Sequence, residues 1–193
     1  MSRPGETPSQ TVGPYFSMRL GGEGQNVVAS PGGDGERIVI TGSVLDGDRQ
    51  HVEDALIEIW QANPAGRYNH PDDRRHLPLD PAFTGFARAM TDFTTGEYRI
   101  ETVKPGPVPD PEEEPQAPHL SVILQARGML NALYTRIYFA DEAAANERDF
   151  VLHAVPAGCR DTLVAELVPG TDPKEYRFDI RIQGDDETVF FDI

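Results

Sequence analysis

The sequence predicts a mainly β protein, an antiparallel β-sandwich with an extended N-terminal arm and one or two short helices. Three observations carry this. About eight short segments alternate apolar and polar side chains or run β-branched, and each is bounded by Gly, Pro, Asn or Asp. The 193 residues include 17 Pro and 18 Gly, which suits a loop-rich β protein better than a helical bundle. Residues 141–148, D-E-A-A-A-N-E-R, form the one good helical candidate, with acids in the first turn to suit the helix dipole. The length is that of one domain with its own core. We divide it into an arm over residues 1–36 and a sandwich over residues 37–193.

The arm has little periodic hydrophobicity, and Gly21, Gly22, Gly24, Gly32, Gly33 and Gly35 interrupt its middle, so it reads as loop rather than core. Within it, Thr11-Val12-Gly13-Pro14-Tyr15-Phe16 is apolar and needs a surface to pack on, either its own sandwich or another chain. Residues 37–45, R-I-V-I-T-G-S-V-L, give a first strand that ends at the turn Asp46-Gly47-Asp48. Residues 55–61, A-L-I-E-I-W-Q, give a second, with Glu58 and Trp60 on one face; Glu58 reads as a solvent or interface carboxylate. A loop rich in Pro, Asp, Arg and His then runs to about Pro81 and holds Tyr68, His70 and His76, the two histidines reading as exposed. Residues 83–91 and 96–103 read as two strands, the second presenting Tyr98, Ile100 and Thr102 on one face and Glu97, Arg99 and Glu101 on the other.

From Lys104 the chain reads V-K-P-G-P-V-P-D-P-E-E-E-P-Q-A-P-H-L-S-V-I-L-Q-A-R-G when started one residue earlier, at Val103. Six prolines between Pro105 and Pro118 remove backbone donors and fix φ, so this part reads as loop. From His119 a strand leaves it with His119 and Ser121 on one face and Leu120 on the other. Residues 133–139, L-Y-T-R-I-Y-F, form another strand; residues 162–167 fit a short helix or a strand equally. Residues 175–183, E-Y-R-F-D-I-R-I-Q, give the cleanest alternation in the chain, and Gly184-Asp185-Asp186 turns them into residues 187–192 as a closing hairpin.

Composition excludes several classes. A formal net charge of −15 without a Lys/Arg cluster repels a nucleic-acid backbone. The single cysteine, Cys159, excludes an intrachain disulfide framework and a cysteine-rich zinc site. No apolar run approaches the roughly 20 residues of a spanning helix, and no apolar leader is present, so a cytoplasmic location is expected. No Gly-rich phosphate loop supports nucleotide binding.

The His119/Ser121 pair is where chemistry is decided. Two side chains at i and i+2 on a strand can share a metal ion, yet a neutral Ser hydroxyl substitutes poorly for an imidazole. A lone strand-start histidine reads as structural. Taken together, K-P-G-P, A-P-H-x-x, A-R-G, the upstream T-P-S-Q-T-V-G-P-Y, G-R-Y, and Y-R-F-D-I-R-I-Q-G resemble the intradiol ring-cleavage dioxygenases over nearly the whole chain. Within that family the pattern is most similar to the non-catalytic alpha subunits of its protocatechuate-cleaving members.

The resemblance implies the rest. Catalytic chains of the family hold a non-haem ferric ion with two tyrosinates and an H-x-H pair. Those positions fall here on Tyr68, Val108, His119 and Ser121, and the arginine that precedes the pair falls on Gln116. Two ligand positions fail and the cation is lost. The chain is therefore expected to bind no iron itself and to have no catalytic residue when alone. It is expected to pair with a homologous beta subunit that holds the Fe(III), and to help enclose protocatechuate and O2 at a shared site. Opening the ring between its hydroxyls would give 3-carboxy-cis,cis-muconate. The resemblance further implies that Thr11, Gly13 and Pro14 reach the partner's site, and that Arg127 is a pocket cation; read from the residues alone, Arg127 is equally a strand-end arginine in a surface ion pair. Tyr68 is either a buried ring or a retained member of the iron site. Two further readings stay open: a self-contained dioxygenase with atypical ligands, and a β-sandwich binding module.

Overall fold

The computed structural model describes residues 13, 16, 20–29, 32–109 and 114–192. Strands β1 (Arg37–Leu45), β2 (Leu56–Trp60), β3 (Phe86–Met90), β4 (Glu97–Val103), β7 (His119–Gln125), β8 (Leu133–Phe139), β9 (Val164–Val168), β10 (Lys174–Arg177) and β11 (Ile180–Arg181) build the sandwich, and β5 (Val108–Pro109) pairs with β6 (Pro115–Gln116). Hydrogen bonding follows the path β11-β1-β10-β9-β8-β7-β2-β3, with β4 on the other side of β1. Strand β9 belongs to both halves, so the two sheets join along one edge and enclose a common core. Ile38, Ile40, Tyr98, Ile100 and Tyr176 meet Ile57, Ile59, Leu120, Leu124 and Phe139 in it. The fold is the mainly β sandwich that alternation predicts. Most ladders are antiparallel, while β1 pairs β10 and β11 in parallel and β8 pairs β9 in parallel.

Several boundaries move, each for a local reason. The run at 175–183 is not one strand. Opposite Gly42 and Ser43 of β1 the ladder is interrupted at Phe178 and Asp179: the Phe178 carbonyl accepts the Tyr98 hydroxyl at 2.6 Å, and Asp179 Oδ1 accepts the Ser43 N–H at 2.9 Å. Residues 187–192 do not close a hairpin. After Thr188 N–H donates to the Arg181 carbonyl at 2.9 Å, the tail leaves for β8, where Phe191 N–H donates to the Tyr134 carbonyl at 2.7 Å. The helical candidate begins as a 3-10 turn, Ala140–Glu142, and becomes helix only over Ala143–Asn146. Residues 162–167 take both of the alternatives in turn: Thr162 and Leu163 end a 3-10 segment, Ala157–Leu163, and the rest lie in β9. The proline-rich segment contains a minimal ladder, with Val108 opposite Gln116 and Pro109 opposite Pro115. A helix Phe150–Ala154 that periodicity did not reveal follows, capped by Asp149, whose side chain accepts from Leu152 N–H.

The arm is not wholly outside the core. Val28 N–H donates to the Glu101 carbonyl, Val27 bridges Glu101, Ala29 bridges Phe83, and Val28 and Ala29 are fully buried. Gly21 has no room for a Cβ against the Met90 side chain. Of the apolar stretch, Thr11 and Pro14 lie outside the described residues; Gly13 adopts a φ of +61° with open space where a Cβ would stand.

Gly42 is the tightest backbone approach. A Cβ there would lie 1.8 Å from the Phe178 carbonyl oxygen, a backbone atom that cannot move without breaking its bond from Tyr98. Gly42→Ala is expected to destabilise the chain by ~3 kcal/mol, whereas Gly158→Ala, with nothing within 4 Å, is expected to be neutral or mildly stabilising. Urea denaturation midpoints of the two variants against wild type check this.

Candidate functional site

The site grows from one end of β7 and the strands beside it. Asp149, fully buried, gathers three donors: Ala117 N–H to Oδ2 at 2.9 Å, and to Oδ1 both the Tyr138 hydroxyl at 3.0 Å and Leu152 N–H at 2.9 Å. The carboxylate thereby ties the end of the proline-rich loop to β8 and to the helix Phe150–Ala154. With Ala117 fixed, His119 enters the site in one pose. Its Nδ1 lies 2.8 Å from the Ala117 carbonyl oxygen. Because a carbonyl only accepts, Nδ1 carries the proton and Nε2 keeps its lone pair. Burial first, and the Arg136 charge second, push the His119 pKa down from 6.5 to about 4, so the ring is neutral.

Register places the other positions. His119 faces Tyr138 across β7 and β8, and their rings are 5.8 Å apart. Ser121 stands between Arg136 of β8 and Trp60 of β2. Tyr68 lies on Trp60, ring centroids 5.9 Å apart and planes within 8°. Its N–H donates to Asp73 Oδ2 at 2.8 Å, and Arg75 holds that carboxyl well below the usual range. Burial raises the Tyr68 pKa, while the charges of Arg136 and Arg75 oppose the rise. Val108, 4% exposed, is paired with Gln116. Tyr68 is thus linked to Ser121 through Trp60, and Val108 to Ser121 through Gln116 and Arg136, with His119 two residues away on β7.

Arg136 is the residue sequence reasoning missed. Its Nη1 donates to Gln116 Oε1 at 3.0 Å and to the Tyr138 hydroxyl at 3.3 Å. The alternation of 133–139 places Arg136 and Tyr138 on one face, but the partner strand and its register are needed to put that face beside His119 and Ser121. A cavity of about 640 Å³ opens here, walled by Trp60, Phe86, Ser121, Tyr134, Arg136 and Phe191. A second, of about 650 Å³, lies on the Tyr68 side and shares Trp60.

The donor set does not fit a resident ferric ion. Val108 offers no donor, Ser121 offers a neutral hydroxyl, and a guanidinium stands among the four positions, where a hard trivalent cation needs anionic oxygen. Among the described residues no group of three or more His, Cys, Asp or Glu could hold a metal. Arg127 is not part of this cluster. It follows the far end of β7, a strand that spans roughly 20 Å from His119 to Gln125, with its side chain 65% exposed and Nε 2.8 Å from Asp54 Oδ2. Glu58 is held by Arg88 across β2 and β3. His70 and His76 are exposed, as is Cys159.

Two variants test this arrangement. Asp149→Ala strands the Ala117 and Leu152 N–H groups and the Tyr138 hydroxyl without an acceptor, and is expected to cost ~3 kcal/mol or more in a denaturant titration. His119 has a pKa depressed in the folded state, so between pH 6.5 and about 4 the unfolded chain binds the extra proton. Stability from this group is fully present above 6.5 and is lost as pH falls toward 4. His119→Gln is expected to remove up to ~3 kcal/mol of that fall; unfolding free energies at pH 7 and pH 4, compared between wild type and variant, measure it.

Comparison with known proteins agrees with the geometry. The dioxygenase family profile matches residues 11–184. The chain is 46% identical over 201 residues to the protocatechuate 3,4-dioxygenase alpha chain of Burkholderia cepacia, covering 97% of this chain and 98% of that one. It is 39% identical over 162 residues to the beta chain of the same enzyme from Burkholderia cepacia, covering 80% of this chain and 67% of that one. Among solved structures, the dioxygenase domain of a carbohydrate-binding fusion protein from Streptomyces sp. SirexAA-E superposes with a TM-score of 0.63 at 22% identity, covering 92% and 98% of the two chains, a likeness of fold. The profile match and the near full-length identity agree with the motifs that run through the sequence: the chain belongs to the intradiol dioxygenase family.

Proposed function

We propose that this chain acts as the alpha subunit of a protocatechuate 3,4-dioxygenase, pairing with a homologous beta subunit whose Fe(III) carries out intradiol cleavage of protocatechuate with O2. The observation that carries the reading is the pairing of near full-length likeness to an alpha chain with a ligand cluster that has lost two of its four donors. The likeness to a beta chain supports a hetero-oligomer of related subunits. In this reading the iron site of the present chain is vestigial, and the cluster around His119 is retained as packing.

What the chain contributes is surface and charge at the partner's site. Thr11, Gly13 and Pro14 form the approach to the substrate, with Gly13 leaving open space where a side chain would intrude. Arg127, exposed at the end of β7 and tethered by Asp54, is displayed outward from this chain and is the cation we assign to the shared pocket. A guanidinium there favours a bound carboxylate and orients an aromatic acid. No helix among the described residues is long and apolar enough to cross a membrane, and a single cysteine suits the reducing cytoplasm in which we place the protein.

The test is iron content and ring-cleavage activity of the chain alone and after addition of the beta subunit. Iron, the visible absorption of tyrosinate-bound ferric ion, and oxygen uptake with protocatechuate are expected only with the partner. In the complex, Arg127→Gln is expected to raise the KM for protocatechuate by about tenfold, the scale of one charge-assisted hydrogen bond, with iron content unchanged. Stoichiometric iron and activity in the lone chain would overturn the reading.

A further inference from the structure

Arg136 connects to all four ligand-type positions. It is the register partner of Ser121, it donates to Gln116, which is the register partner of Val108, and it donates to Tyr138, which is the register partner of His119. Its charge also acts on the fourth position, Tyr68, which stacks on the Trp60 that faces Ser121 from the other side. Both hydrogen-bond partners are neutral side chains; the Asp149 carboxylate lies beyond the Tyr138 hydroxyl and is taken up by its own three donors. Glu58, on the same sheet face, is already taken by Arg88.

We propose that Arg136 is a built-in cation that takes over the charge role of the metal in this half of the fold and bars a metal ion from the position. The proposal rests on the vestigial-site reading above and deepens it. Loss of two donors weakens a site but leaves it empty and polar; a fixed guanidinium fills it and repels any cation that returns. It also accounts for the polar remnants. Arg136 gives the Gln116 carbonyl oxygen a donor, and gives one to the oxygen of the Tyr138 hydroxyl, whose own proton is donated to Asp149. Planar and permanently charged, arginine suits two acceptors in fixed directions better than lysine would.

The experiment rebuilds the ligands in the full chain without its partner, so that no other iron is present. Val108→Tyr and Ser121→His are combined, with Arg136 native, or changed to Gln, or changed to Lys. Each protein is loaded with ferrous iron and exposed to air; iron per chain and the visible tyrosinate-to-ferric absorption are read. With Arg136 or Lys at 136, iron stays near background. With Gln, affinity rises by about a hundredfold or more, as expected when a like charge in contact is removed at an effective dielectric of ~20. Equal uptake by the Arg136 and Gln forms, or no gain in the Gln form, overturns the proposal. Native chain that loads iron stoichiometrically overturns instead the vestigial reading on which it rests. Arg136→Gln alone gives a second measure that needs no rebuilt ligands. Zn2+ affinity by calorimetry, reporting on Tyr68 and His119, is expected to rise about tenfold or more, and an unchanged affinity counts against Arg136.

Discussion

The buried carboxylate of Asp149 is the constraint on which the rest depends. Burying a charge without partners is expensive. Here three donors from three segments converge on it: the loop end at Ala117, the strand residue Tyr138 and the helix residue Leu152. None of the three segments can move without leaving a charged oxygen unsatisfied, so the start of β7 is fixed relative to β8. That fixes the facing of His119 on Tyr138 and, two residues on, of Ser121 on Arg136. The other end of the proline-rich segment is held by Lys104. Its Nζ reaches Asp141 at 2.7 Å, Glu142 at 3.1 Å and the Tyr176 hydroxyl at 3.0 Å, above the rings of Phe139 and Tyr176. Burial alone would lower the Lys104 pKa, but these partners outweigh it and the net shift is upward. A loop with six prolines is thus clamped at both ends by charges.

Much of this was legible in the sequence because alternation is a local property. The ranges 37–45 and 133–139 are strands over the whole predicted length, and the predicted faces of β4 agree with its burial. Tyr68, Val108, His119 and Ser121 are linked through shared neighbours, Trp60, Gln116 and Arg136. What was not legible is what depends on a partner strand. The alternation of 175–183 is real, yet Gly42, more than 130 positions earlier, leaves space for the Phe178 carbonyl and breaks the strand there. Parallel pairing of β1 with β10 leaves no mark on either segment. Val28 and Ala29 are core residues inside a glycine-rich stretch, because two bridges to Glu101 and Phe83 hold them and not because of any period. Arg136 belongs to the same class: its meaning comes from the residues across the ladder.

On the proposed reading of a vestigial site, the energetics of the cluster explain how it keeps its shape without those donors. Removing a metal from a buried polar site leaves lone pairs and hydroxyls facing one another without water or cation, which is unfavourable by a few kcal/mol per group. An apolar repacking would remove the groups, and on that reading Val108, 4% exposed and paired with Gln116, is one such replacement. A polar repacking keeps the groups and supplies donors, and Arg136 does so for Gln116 and Tyr138. His119 is satisfied at Nδ1 by the Ala117 carbonyl and neutral through burial, so it asks for no counter-charge. The two kinds of repacking share the site.

Charge distribution sets how such a chain could favour an anionic aromatic acid despite a net charge of −15. At physiological ionic strength the field of distant carboxylates is screened over about 8 Å, so the sign of the nearest groups decides. Most described cations are committed: Arg75 to Asp73, Arg88 to Glu58, Arg177 to Glu97 and Asp179, Lys174 to Glu36. Arg127 is committed in a different way. Asp54 is only 10% exposed and meets Nε, while the Arg127 side chain is 65% exposed. A contact with a nearly buried carboxylate restricts the rotamers of a side chain that is still largely exposed, and an exposed guanidinium can grip a carboxylate in charge-assisted geometry. On the proposed reading, such a cation is ordered before the ligand arrives, so less rotamer freedom is lost when it binds a small acid.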